Sequence, residues 1–142
     1  MHKLLAFVNN CPTCIRVFLA FSYLALISFL SLSTSEDLFK LSPDIPGFDK
    51  IVHFFMYGSL GVLLRWVFWN HSFDKVKSTW VLGGVFAYGL AMEIMQALFT
   101  GGIREFGWAD AWANIAGAVV FWILAGWFLS VVGSRWTVVG GR

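Results

Sequence analysis

Four apolar stretches, separated by short polar segments, dominate the pattern of the chain. They cover about residues 15–35, 51–69, 78–99 and 111–134. A helix needs roughly 20 residues to cross the hydrocarbon core of a bilayer, and each stretch reaches about that length. Backbone polar groups find no water there, so helices are expected because they pair these groups internally. The pattern predicts an all-α, integral membrane four-helix bundle formed by a single domain over residues 1–142.

Composition agrees with a membrane protein. Of the 142 residues, 58% are hydrophobic and 13% are charged, whereas soluble domains carry about 25% charged residues. The mean hydropathy is +0.74. The net charge of +2 comes without a basic run, which argues against nucleic acid as a partner.

Basic residues are unevenly distributed between the two ends of the predicted bundle. Seven of the ten Lys and Arg residues lie in or next to the amino terminus, the second connection and the carboxyl terminus, and three lie at the other end. Basic residues near membrane spans favour the cytoplasmic side. Both termini are therefore expected in the cytoplasm, with the first and third connections outside.

Several polar side chains lie within the apolar stretches, where a charge costs roughly 2.5–3.5 kcal/mol at mid-span. Asp49, His53 and Tyr57 recur every four residues and so share one face of the second helix. Glu93 and Gln96 lie three residues apart near the outer end of the third helix. The remaining candidates follow that helix: Arg104, Asp110 and Asn114.

With this topology, all the unusual polar groups approach the outer end of the bundle. If the third helix ends near Phe99, Glu93 lies roughly 9 Å below that end. A polar site that opens towards the outer leaflet is predicted, and a path through the whole membrane is not.

Structural roles compete with this interpretation. Asp49 and Asp110 could be helix N-caps. Gln96 and Asn114 could form hydrogen bonds between helices. A Glu93–Arg104 ion pair could serve structure alone.

The first functional hypothesis is a binding or remodelling site for a lipid headgroup, a lipid-linked cell-envelope precursor or a lipid-tailed drug. Arg104 would contact a phosphate or carboxylate, since its planar fork suits such groups. The other expected ligand contacts are Tyr57, Gln96, Asp110 and Asn114, together with His53.

The alternative is an intramembrane hydrolase or transferase that acts on a lipid-linked phosphoester or ester. His53, oriented by Asp49, would act as base or nucleophile, and Glu93 as a second acid or base. Asp110 and Asn114 offer oxygen ligands for a divalent metal such as Mg²⁺, but the spacing demands no metal and no cofactor is expected. Whether the protein is an enzyme stays open at this point.

Glycines and cysteines complete the pattern. Gly58 and Gly61 would let a neighbouring helix approach, and self-association into a homo-oligomer through glycine faces is one further expectation. Cys11 and Cys14 form a Cys-x-x-Cys without a second pair, and a disulfide is not expected at a cytoplasmic end.

The polar residues also carry a family resemblance. The segment Asp49-Lys50-Ile51-Val52-His53-Phe54-Phe55-Met56-Tyr57-Gly58-Ser59-Leu60-Gly61 resembles the opening motif of the VanZ-like membrane proteins. Later motifs resemble the family in the same order: Glu93-Ile94-Met95-Gln96, Arg104, Asp110, Asn114 and Gly117. The family usually has a proline just before its arginine, where this chain has Gly101-Gly102-Ile103.

The resemblance implies a small multi-pass protein of the bacterial cytoplasmic (inner) membrane. The founding member of the family is linked to low-level resistance to teicoplanin, a lipoglycopeptide that acts outside the cell. The resemblance therefore implies a role in the cell envelope and in glycopeptide resistance more than a particular activity.

Overall fold

The computed structural model describes residues 10–33, 47–68, 75–100 and 106–139. These residues form four helices and, within the described ranges, no strand, which confirms the all-α class. The helices are α1 (Thr13–Leu32), α2 (Phe48–Val67), α3 (Lys75–Phe99) and α4 (Trp108–Val139).

Local sequence signals explain where the helices begin. Pro12 precedes α1, and its carbonyl accepts the backbone N–H groups of Ile15 and Arg16. Gly47 precedes α2 with a φ of 81°, a left-handed conformation that glycine adopts without strain. The N-cap role considered for Asp49 is therefore wrong, because Gly47 occupies that position. Asp49 lies in the first turn, where a negative charge suits the helix dipole.

Three helices are long and apolar enough to cross a membrane: Thr13–Leu32, Lys77–Phe99 and Trp108–Ser130. α2 is not among them; it carries Asp49, Lys50 and Arg65. Its crossing of the membrane stays a prediction.

The outward surface is apolar and several buried side chains are polar, as expected for a bundle in lipid. The most exposed large side chains, each at least 65% exposed, are Phe18, Phe21, Phe29, Trp80, Leu98, Phe99, Trp112 and Trp127. The buried polar residues are Arg16, Ser31, His53, Glu93, Gln96, Thr100 and Asn114. Because lipid solvates apolar groups, hydrogen bonds inside the bundle become the specific contacts between helices.

Small residues let α2 and α4 pack at backbone distance. A β-carbon added to Gly61 would lie 2.7 Å from the carbonyl oxygen of Ala118. A β-carbon added to Gly117 would meet the backbone of Phe54, with the Phe54 Cα 2.9 Å away. The expected helix approach at Gly61 is thus confirmed, and its neighbour is α4.

The remaining helices pack around this pair. α1 runs antiparallel to α2, since the Tyr23 hydroxyl donates to the Met56 carbonyl and Arg16 reaches the Trp66 carbonyl. α1 is held to α3 by the Tyr88 hydroxyl, which donates to the Leu24 carbonyl at 2.8 Å. Where the helices meet, a buried core forms from Ile27, Tyr57, Leu60, Val85 and Ala118.

We expect Gly117→Ala to destabilise the protein by about 1–3 kcal/mol, because the new methyl group would collide with the Phe54 backbone. Thermal unfolding of the detergent-purified protein measures the effect. Gly83→Ala is the matched control, since a β-carbon there meets no atom within 4 Å. Equal melting temperatures for the two variants would contradict the close α2–α4 contact.

Candidate functional site

Three helices each contribute one polar side chain to a buried cluster. His53 of α2, Glu93 of α3 and Asn114 of α4, hereafter the polar cluster, are 9%, 1% and 1% exposed. The α2 and α4 residues lie near the start of their helices and Glu93 lies near the end of its own. The structure therefore brings together three residues that the sequence predicted to meet at one end of the bundle.

Hydrogen bonds in the polar cluster determine how the groups are oriented. His53 Nδ1 lies 3.1 Å from Asn114 Oδ1 and 3.3 Å from Glu93 Oε1. Both oxygens are acceptors, so Nδ1 carries the ring proton. Asn114 Nδ2 donates to Glu93 Oε1 at 3.5 Å. The amide thus accepts from the imidazole and donates to the carboxylate, a pattern that only one orientation of Asn114 allows.

Three polar atoms in or beside the polar cluster have no hydrogen-bond partner among the described residues. Glu93 Oε2 and the Tyr57 hydroxyl are buried without a hydrogen-bond partner among the described residues. No described residue bonds His53 Nε2 either. A buried polar group left unpaired costs about 1–3 kcal/mol, and a charged group costs more. Buried polar atoms of this kind can hydrogen-bond to a ligand or a water molecule.

Gly89 was missed by sequence reasoning. It lies one helical turn before Glu93 on α3. A β-carbon there would lie 3.2 Å from Cε1 of Tyr57 and 3.3 Å from Nδ2 of Asn114. A side chain at this position would push these two residues away from Glu93. The i, i+4 spacing of Gly89 and Glu93 was the available signal, but a glycine in an apolar helix is common.

Gln96 has a structural contact. Its Nε2 donates to the carbonyl oxygen of Ser31 at 2.9 Å, and its own carbonyl accepts the Thr100 hydroxyl at 2.7 Å. The side chain therefore ties the end of α3 to the end of α1. This contact favours the hydrogen-bond interpretation of Gln96, and its role as a ligand contact stays a prediction.

A charged rim formed by Asp49, Lys50 and Asp110 lies one turn closer to the helix ends than the polar cluster. Lys50 Nζ is 2.9 Å from Asp49 Oδ2 and 3.4 Å from Asp110 Oδ1. The hydrogen bond from Lys50 lowers the pKa of Asp49, and the same bond raises the pKa of Lys50. Both groups therefore stay charged around neutral pH, and Lys50 joins the starts of α2 and α4.

The rim changes the role expected for Asp49. Its side chain is 56% exposed and pairs with Lys50, whereas His53 is hydrogen-bonded by Asn114 and Glu93. The described contacts thus assign the orientation of His53 to the amide and the glutamate. Lys50 was not predicted as a site residue, although it is the residue that connects the two aspartates.

Two further expectations concern the third connection and metals. Arg104 lies outside the described residues. Within the described residues, no group of three or more His, Cys, Asp or Glu side chains could hold a metal ion. The divalent metal considered for Asp110 and Asn114 stays untested.

The opposite end of the bundle is basic and aromatic. Arg16 is 1% exposed, donates to the carbonyls of Cys11 and Trp66, and its guanidinium lies 5.6 Å from the Trp66 ring centroid. Arg65 stacks on Trp122 at 5.1 Å. Cys11 and Cys14 at this end are free thiols, the first buried and the second exposed.

We expect Asn114→Leu to destabilise the protein by about 1–3 kcal/mol, because it removes the acceptor for His53 and a donor to Glu93 from a buried site. Thermal unfolding in detergent measures the loss. Trp112→Leu, on the same helix and 65% exposed, is the control and should change stability much less. A melting temperature of Asn114→Leu equal to that of the control would mean that the amide does not hold the polar cluster together.

The chain also matches a protein-family model over most of its length. The family model VanZ/LLP1 matches residues 7–129. This range contains His53, Glu93, Arg104 and Asn114. It covers α1, α2 and α3 completely and α4 except for its carboxyl-terminal end. Searches of curated proteins and of solved structures found no match. With most of its length covered by the family model, the chain belongs to the VanZ/LLP1 family of membrane proteins.

Proposed function

We propose that this protein binds the polar headgroup of a membrane lipid, a lipid-linked cell-envelope precursor or a lipoglycopeptide at the polar cluster. The observation that carries the proposal is Glu93, which is 1% exposed and has one carboxylate oxygen without a hydrogen-bond partner among the described residues. Ionisable groups in membrane segments are costly and usually functional. A ligand that supplied the missing hydrogen bonds would explain why this group is kept.

The surroundings of the polar cluster suit an amphiphilic ligand. Lys50 at the charged rim can contact a phosphate, and Arg104 of the third connection is a second candidate from the sequence. The exposed ends of α3 and α4 carry Phe99, Trp108 and Trp112, which can pack against acyl chains. The headgroup of a lipid would thus contact charged side chains, and its acyl chains would contact aromatic side chains.

The proposed site faces the outer leaflet of the bacterial cytoplasmic membrane. Arg16 and Arg65 lie at the end of the bundle opposite the polar cluster, and basic residues favour the cytoplasm. An outward site would meet lipid-linked wall precursors and drugs such as teicoplanin, in agreement with the teicoplanin resistance to which the founding member of the VanZ-like family is linked.

A hydrolase or transferase is the second candidate, and one observation favours it. Nδ1 of His53 is hydrogen-bonded to Asn114 and Glu93, and no described residue bonds Nε2, which can therefore accept a proton. Water would attack the phosphorus of a lipid-linked phosphoester and lose its proton to Nε2. The phosphorus–oxygen bond to the lipid would break, and the imidazolium would return the proton to the leaving oxygen.

Lipid retention separates binding from catalysis. A binding role predicts that His53→Ala and Arg104→Ala lower the amount of co-purifying lipid detected by native mass spectrometry. Arg104→Lys should be intermediate, because lysine keeps the charge and loses the planar fork. Lys77→Ala, at the opposite end of α3, is the control.

The same variants decide the alternative. If His53→Ala stays folded, retains or accumulates its lipid and yet loses function in a teicoplanin-susceptibility assay, the result favours the hydrolase or transferase over simple binding. An unchanged lipid profile in Arg104→Ala would contradict the role of Arg104 as a contact to the headgroup.

Cysteine labelling tests the orientation. Asp49→Cys, in a chain with Cys11 and Cys14 changed to Ser, should react with a membrane-impermeant maleimide added to intact cells. In a separate experiment on the unmodified chain, the exposed Cys14 should react only after permeabilisation, because it lies at the other end of the bundle. Reaction of position 49 from the cytosolic side alone would refute an outward-facing site.

A further inference from the structure

Acceptors of hydrogen bonds outnumber donors in the polar cluster. The Nδ1–H of His53 and the Nδ2–H of Asn114 both approach Glu93 Oε1. Glu93 Oε2 is without a hydrogen-bond partner among the described residues, and no described residue bonds His53 Nε2. A carboxylate and an unprotonated imidazole nitrogen accept but do not donate. With respect to the described residues, a ligand group that brings N–H or O–H donors would complete this site.

The open groups surround a single point on α3. The hypothetical β-carbon of Gly89 lies 3.2 Å from the Tyr57 ring and 3.3 Å from the Asn114 amide nitrogen, and Glu93 is one turn further along the same face. Tyr57 is 1% exposed, and its hydroxyl is likewise unpartnered within the described part of the chain. The missing side chain at Gly89 thus keeps the phenol, the amide and the carboxylate adjacent.

Charge narrows the class of ligand. Glu93 is the acid of the polar cluster, and a buried carboxylate is costly unless a cation or hydrogen-bond donors surround it. An ammonium group compensates this charge and donates charge-assisted hydrogen bonds, which are stronger than neutral ones. A phosphate has only acceptors and would be repelled by Glu93. A cation is available at the charged rim, where Lys50 precedes His53 by three residues on α2 and where the phosphate would compete with Asp49 and Asp110 for the Lys50 ammonium group.

We infer that the polar cluster receives the primary ammonium group of a zwitterionic lipid headgroup, with Glu93 as its acceptor and Lys50 next to the headgroup phosphate. The inference rests on the proposed function and specifies its ligand: a phospholipid whose amine carries N–H donors.

The test compares phospholipids that share acyl chains and differ in the headgroup. The probes are phosphatidylethanolamine, phosphatidylcholine, phosphatidylglycerol and soluble phosphoethanolamine, each titrated against the purified full-length protein by native mass spectrometry. Phosphatidylethanolamine should bind about tenfold more tightly than phosphatidylcholine, whose methylated amine has no N–H to donate. Phosphoethanolamine should bind more weakly than the lipid, because it has no acyl chains.

Variants assign the preference to particular residues. Glu93→Gln should bind phosphatidylethanolamine and phosphatidylcholine equally, since the neutral amide no longer attracts a cation. Lys50→Gln should weaken binding of both lipids and keep the preference. Tyr57→Phe removes only a hydroxyl and should reduce the preference, so it provides the test if Glu93→Gln does not fold.

The outcomes separate this inference from the proposed function. Equal binding of the two zwitterionic lipids by the wild type, or a preference that survives Glu93→Gln, would overturn the inference while lipid binding itself stands. If phosphoethanolamine binds as tightly as phosphatidylethanolamine, the claim that the amine belongs to a lipid is wrong. If none of the phospholipids binds, the proposed function fails as well.

Discussion

The arrangement of the bundle depends on how a buried glutamate is hydrogen-bonded. Glu93 is almost fully enclosed, and a carboxylate in such a setting is costly unless donors surround it. The Asn114 amide meets this need on one side and accepts from His53 on the other. One side chain therefore aligns three helices, and a shift of any of them by one turn would leave two polar groups unpaired.

The close contact of α2 with α4 makes that alignment achievable. Gly117 and Gly61 remove the side chains that would keep the two backbones apart, so His53 and Asn114 come within 3.1 Å of each other. Gly89 does the same for α3 by leaving room beside Asn114. Small residues thus position the hydrogen bonds, because interhelical distance determines which short side chains can reach one another.

The two ends of the bundle satisfy their charges in different ways. Arg16 is buried, and its guanidinium donates hydrogen bonds to backbone carbonyls and lies over an aromatic ring. Arg16 is therefore a structural connection between α1 and α2. At the other end, Glu93 Oε2 and His53 Nε2 have no hydrogen-bond partner among the residues that the structure describes. A polar group that lacks a partner within the described bundle can still bind a ligand, which makes this end the better candidate for function.

The sequence by itself determined the all-helical class, the family and the three residues of the polar cluster. The length of an apolar stretch can be recognised from the local sequence alone. The same holds for a polar residue such as Glu93 in apolar surroundings. The partners of each residue came only from the tertiary structure. It paired Asp49 with Lys50, gave His53 the Asn114 amide as its neighbour, and revealed the role of Gly89. Such pairings depend on the distance and rotation between helices. Residues far apart along the chain determine these quantities together, so no local sequence pattern contains them.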